Sequence, residues 1–120
     1  YFEYSSKVFR ITYLNLERNC LRFFDFANLG FFDGLNSLNL CNNKINNLSI
    51  NHQFISNKIK YLGLSKNKIN VFPQFFLAFF HNLEKFDLDS NQLRYFEKST
   101  FTYINKVRYL NLSSNELRYI

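Results

Sequence analysis

One pattern occurs five times at a fixed interval, and it constrains the fold more than any other feature of the chain. The copies begin at Ile11, Leu35, Ile59, Leu83 and Val107, each 24 residues after the last, with no insertion or deletion. A fixed period of this length predicts stacked structural units, because one copy alone has nowhere to bury its apolar side.

Aligned, the copies form columns. Ile11, Leu35, Ile59, Leu83 and Val107 make the first, then Leu14, Leu38, Leu62, Phe86 and Leu110, then Leu16, Leu40, Leu64, Leu88 and Leu112. An all-Asn column follows (Asn19, Asn43, Asn67, Asn91, Asn115), then Leu21, Ile45, Ile69, Leu93 and Leu117, and last Phe24, Leu48, Phe72, Phe96 and Ile120. No column contains a charge. With 18 Asn in 120 residues, five given positions are all Asn by chance on the order of one time in ten thousand, and five apolar columns share the register.

Residues two apart, such as Leu110 and Leu112, fall on one face of a short strand and leave Tyr109, Asn111 and Ser113 on the other. Successive strands run the same way and are joined by about twenty residues, so they must form a parallel sheet with return segments behind it. After each strand the chain turns into the core. An Asn there offers a donor and an acceptor to backbone groups that would each cost ~1–3 kcal/mol if left unpaired. Asp or Leu at these positions is expected to destabilise.

The return segments hold Phe31, Phe32, Phe75, Phe76, Phe79, Phe80 and Phe101, which read as filler behind the sheet. Around Gln53, Phe54, Ile55 and Ser56 the second return segment departs from the others, and a local bulge or phase shift is expected. Pro73 and the short polar connections predict irregular or brief helical turns.

The longest apolar run, Val71 to Phe80, is broken by Pro73 and Gln74 and is far short of the ~20 residues that span a bilayer. Fifteen Lys and Arg against nine Asp and Glu give a net charge of +6, which favours acidic partners in general. Cys20 and Cys41 are too few for a disulfide scaffold, lie too far apart by strand spacing to bridge, and are expected to be free. His52 and His81 lie on return segments without a nucleophile or carboxylate at motif spacing, so neither catalysis nor a metal or cofactor site is expected.

The segments Ile11-Thr-Tyr-Leu-Asn-Leu-Glu-Arg-Asn-Cys-Leu21 and Leu35-Asn-Ser-Leu-Asn-Leu-Cys-Asn-Asn-Lys-Ile45, with their three successors, resemble leucine-rich repeats over residues 11–120. The 24-residue length, with return segments such as Phe32-Asp-Gly-Leu35 and Phe80-His-Asn-Leu83, is similar to the typical subclass. That subclass is found mainly in extracellular proteins such as Toll-like receptor ectodomains, matrix proteoglycans and neuronal adhesion molecules. The resemblance implies an α/β architecture: a right-handed solenoid with a concave parallel sheet, one short strand per repeat, and irregular or short helical convex segments. It implies a single repeat domain over residues 1–120 and no reaction. The chain opens on Tyr1 without a leader pattern, and its ends carry no cysteine-rich cap, so it is expected to be part of a longer array.

Positions facing away from the core are the candidate ligand contacts. The first copy supplies Thr12, Tyr13, Asn15, Glu17 and Arg18, and the second Asn36, Ser37, Asn39, Cys41 and Asn42. The third supplies Lys60, Tyr61, Gly63, Ser65 and Lys66, and the fourth Glu84, Lys85, Asp87, Asp89 and Ser90. The fifth supplies Arg108, Tyr109, Asn111, Ser113 and Ser114. Five basic against four acidic side chains make this face nearly neutral, so nucleic acid is not an expected ligand. Tyr13, Tyr61 and Tyr109 share one column and are candidate contact anchors. A second set of cations, Arg22, Lys44, Lys68, Arg94 and Arg118, follows the Asn column along one flank and reads as solvated loop charge.

The sequons Asn47-Leu48-Ser49 and Asn111-Leu112-Ser113 are no more than this Asn and Ser content yields by chance. The expected function is non-enzymatic recognition of a protein or other macromolecular ligand, as part of a cell-surface or secreted receptor or adhesion protein. An intracellular scaffold or enzyme-regulating subunit on the same fold is the alternative, favoured by free thiols. The oligomeric state is not legible.

Overall fold

The computed structural model describes residues 10–49 and 58–118. Each copy contributes one three-residue strand: β1 (Tyr13–Asn15), β2 (Ser37–Asn39), β3 (Tyr61–Gly63), β4 (Lys85–Asp87) and β5 (Tyr109–Asn111). They pair in chain order as one five-stranded parallel sheet, and Leu14, Leu38, Leu62, Phe86 and Leu110 sit in one row across it. The register therefore equals the repeat period.

Hydrogen bonds carry the repeat beyond the strands. The carbonyl of the residue preceding each of β1 to β4 accepts two N–H groups from the next copy, as Lys60 does from Glu84 at 2.8 Å and Lys85 at 2.9 Å. Just past the strands, Leu16, Leu40, Leu64 and Leu88 donate to the carbonyls of Asn39, Gly63, Asp87 and Asn111 at 2.8–2.9 Å. The expected strands are thus shorter than the pattern suggested, and the pairing continues into the turn without strand geometry.

That turn needs one left-handed residue per copy. Arg18, Asn42, Lys66, Ser90 and Ser114 have φ between 54° and 61°, a conformation that only Gly, Asn and Asp adopt at little cost. Arg18 and Lys66, expected on the strand face, belong to this turn. In the first copy Cys20 is also left-handed at φ 55°. Its counterparts Lys44, Lys68, Gln92 and Glu116 each donate an N–H to the preceding copy at 2.7–2.9 Å, and no earlier copy among the described residues offers Cys20 such a carbonyl.

The Asn column closes the turn. Asn67 Nδ2 donates to the carbonyls of Leu40 (3.0 Å), Leu64 (3.1 Å) and Ser65 (3.2 Å), and its Oδ1 accepts from Ile45 N–H at 3.0 Å. Asn91 repeats the set on Leu64, Leu88, Asp89 and Ile69, and Asn43 and Asn115 do likewise one copy outward. Each amide satisfies backbone of its own copy and of the one before, so it bonds neighbours together as well as shaping its own turn.

Behind the sheet the chain returns through 3-10 helices at Phe26–Phe31, Phe76–Phe79 and Lys98–Tyr103. The first is capped by Asp25, whose carboxylate accepts Ala27 N–H at 3.0 Å. No α-helix occurs among the described residues, so the helical part of the expected α/β class is reduced to 3-10 helices of four to six residues. The expected bulge around Gln53 to Ser56 lies outside the described residues.

Phenylalanines fill the space between returns and sheet. Ring centroids run Phe24–Phe26 at 4.9 Å, Phe26–Phe76 at 5.1 Å, Phe76–Phe72 at 5.4 Å, Phe72–Phe96 at 5.5 Å and Phe96–Phe101 at 5.0 Å. Phe26 of the first copy thus touches Phe76 of the third. Phe75, expected as filler, is 57% exposed: it caps the 3-10 helix from outside, and Phe76 and Leu77 behind it take the buried places.

Candidate functional site

Strand residues flanking the buried Leu row project away from the core. The register places Tyr13, Ser37, Tyr61, Lys85 and Tyr109 in one line across the sheet. Lys85 is held between two of the tyrosines, its Nζ 5.2 Å from the Tyr61 ring centroid and 4.9 Å from that of Tyr109. A cation between two electron-rich faces gains ~0.5–1 kcal/mol per ring at such exposed sites, which links the three side chains across the sheet.

Tyr61 is not the free anchor that its column suggested. It is half-buried, lying along the sheet over Gly63, where a Cβ would overlap its hydroxyl and stand 2.9 Å from Cys41 Sγ. Its hydroxyl reaches Cys41 Sγ at 4.0 Å. Burial above all, then the neighbouring Cys41, pushes the phenol well above its ordinary range, with smaller contributions from Asp87 and Tyr13. Cys41, expected on the open face, is covered and 6% exposed. Tyr109 and Tyr13 do stand out, at 46% and 52% exposure.

The next line across the sheet is Asn15, Asn39, Gly63, Asp87 and Asn111. Four of these use Oδ1 to accept the N–H two residues on, from Glu17 (3.0 Å), Cys41 (2.9 Å), Asp89 (3.1 Å) and Ser113 (3.1 Å). These are local side-chain turns that shape the strand end. Asn15, Asn39, Asp87 and Asn111 therefore keep only part of their hydrogen-bonding capacity for a ligand.

Below that line, Glu17 Oε1 accepts Asn42 Nδ2 at 2.9 Å. Ser113 Oγ lies 2.8 Å from Asp89 Oδ1 and 2.7 Å from Asn111 Oδ1, so its single proton is shared between two acceptors. Lys60 and Arg108 stand just before their strands and are exposed. The sheet thus brings Lys60, Tyr61, Lys85, Arg108 and Tyr109 to one end of copies three to five, with Glu84 between Lys60 and Arg108 leaving that end net positive, and Asp87 and Asp89 at the other. Tyr13, Asn15, Glu17 and Arg18 lie two strands away from β3.

His81 is exposed on a return segment, and His52 lies outside the described residues. Among the described residues no three His, Cys, Asp or Glu side chains gather as metal ligands, and no helix is long and apolar enough to cross a membrane. Cys20 is free and exposed, Cys41 free and buried.

Identical backbone joints with changing side chains on the open side of a parallel sheet define a repeat protein that displays its variable positions on one face. The family profile described as leucine rich repeat matches residues 57–117, and the chain belongs to the leucine-rich repeat family. Domains of this family generally mediate protein–protein interaction and are generally non-enzymatic binding modules. No curated protein matches the chain.

Proposed function

We propose that the chain is a recognition module that binds a protein ligand across the open face of its sheet, in copies three to five. The observation that carries this reading is the Tyr61–Lys85–Tyr109 stack, a preorganised aromatic and cationic patch beside Asp87 and Asp89. Order before binding lowers the entropic cost of association, and tyrosines are frequent hot spots. The opposed charges at the two ends of the patch would fix the orientation of a partner carrying the complementary pair.

In this reading the copies belong to the 24-residue typical subclass, wound as a right-handed solenoid with the sheet concave. The chain is then one section of a longer extracellular array, of the kind found in Toll-like receptor ectodomains, within a cell-surface receptor or adhesion protein. One observation favours an intracellular scaffold or enzyme-regulating subunit instead: Cys20 is free and exposed, as a reducing compartment would keep it.

Tyr61→Ala is a poor probe, since it also uncovers Cys41 and leaves a cavity. Tyr109→Ala and Lys85→Ala change exposed side chains. In affinity capture followed by titration of the purified partner, each is expected to weaken binding at least tenfold with the urea midpoint held within ~0.5 kcal/mol of wild type. A partner held equally by wild type and the double variant would sink the assignment.

A further inference from the structure

A second surface is independent of the sheet face. Twelve residues after the copy starts stand Phe23, Asn47, Val71 and Tyr95, and three of them are large apolar side chains exposed at 56%, 55% and 48%. Exposure of Ile11 and Leu110 follows from their place in the first and last copies, but Val71 and Tyr95 belong to inner copies whose core columns are buried, apart from the half-buried Phe96. An apolar line repeated at one exposed position is a feature of the surface, not of incomplete packing.

Cations run beside it. Arg22, Lys44, Lys68, Arg94 and Arg118 are all exposed; of the acids on or beside this flank, Glu116 is met by Arg94 at 3.2 Å, while Asp25 and Glu97 follow Phe23 and Tyr95 by two residues, so cations outnumber acids five to three. Two depressions lie on either side of Val71. One of about 390 Å³ is lined by Asn46, Asn47, Asn70, Val71 and Pro73. The other, of about 290 Å³, is lined by Asn70, Val71, Gln92, Tyr95 and the Arg94–Glu116 pair.

We propose that this flank docks an extended acidic protein segment whose alternate side chains are apolar. The cations would pair its carboxylates, Phe23, Val71 and Tyr95 would take its apolar side chains, and the depressions would seat two of them. The amides of Asn46, Asn47 and Asn70 decide between ligand classes, because an amide offers donor and acceptor together. A peptide backbone answers both, whereas a phosphate or sulfate chain offers acceptors alone. At ~4.8 Å per strand the five copies span about 19 Å, the reach of about six extended residues.

The test uses a fluorescein-labelled octapeptide alternating Glu with Leu, titrated into the full chain by fluorescence polarisation and amide chemical-shift mapping. Saturable binding is expected, with shifts at Phe23, Lys44, Lys68, Val71 and Tyr95. Affinity is expected to fall at least tenfold in Val71→Ser/Tyr95→Ser and in Lys44→Glu/Lys68→Glu, and to be unaltered in His81→Ala, which lies on a return segment. All four flank positions are exposed; should a pair lower the urea midpoint, Lys68→Glu alone serves. Shifts confined to the strand face, equal affinity for the peptide with Ser in place of Leu, or tighter binding of oligo-dT or phosphatidylserine vesicles would each overturn the assignment. So would the absence of binding at millimolar peptide. Flank variants that keep the partner captured through Tyr109 and Lys85 separate this surface from the sheet face.

Discussion

Arg18, Asn42, Lys66, Ser90 and Ser114 share a left-handed backbone although they comprise two cations, an amide and two hydroxyls; none is β-branched. Conformation at this position is imposed by the turn between strand and Asn, not requested by the residue. Non-Gly residues give up roughly 1–2 kcal/mol there, and Asn gives up less. The second copy already carries Asn42, so Lys66→Asn and Ser90→Asn are each expected to raise stability by about 0.5–1 kcal/mol, read from urea midpoints. Tyr61 supplies a second residue-scale test. Its folded pKa is raised mainly by burial, so the fold favours the neutral phenol. Below the unfolded value of ~10 this has no effect on stability; as pH rises above it, the unfolded chain loses the proton more readily and stability falls. Tyr61→Phe is expected to lose less stability than wild type between pH 8 and pH 11. A fall of equal size in both would refute the burial account.

Within each element, what was legible in the sequence is what bonds or packs onto the next copy. The Asn amides and the Leu row had to recur because their partners recur, and the period exposed them. Side chains that answer a neighbour of different type were not legible. Gly63 reads as an ordinary strand residue until Tyr61 is seen to lie over it, and Cys41 as a surface thiol until Tyr61 covers it. Asn15, Asn39, Asp87 and Asn111 read as ligand contacts, although an Asx residue two places before an N–H is itself a signal for the local turn that they make. The last 3-10 helix holds a mismatch of another kind. Thr100 is fully buried and its hydroxyl has no partner among the described residues, where the third copy has Phe76. Thr100→Val, matched in shape, is expected to stabilise by about 1 kcal/mol in urea titration.

Across the whole molecule burial is graded. Leu38, Leu62 and Phe86 are 0–1% exposed, against 41% for Ile11 and 37% for Leu110 in the terminal copies. In a chain of units held by nearest-neighbour contacts, opening should begin where a unit has one neighbour. Hydrogen exchange is expected to run at least about tenfold slower at the amides of Leu40 and Leu64 than at those of Leu16 and Glu116. Uniform protection would mean that the copies unfold as a single block. The constant register has a different outcome for change over generations. Each copy presents the same donors and acceptors at the same offsets, so any copy can in principle follow any other. Duplicating or excising one whole unit would leave every joint intact, whereas inserting a single residue between strand and Asn would break the ladder on both sides. Gain or loss of length is therefore simplest in steps of 24 residues, and the Tyr61–Lys85–Tyr109 patch, which needs three particular copies in order, is what such a step would put at risk.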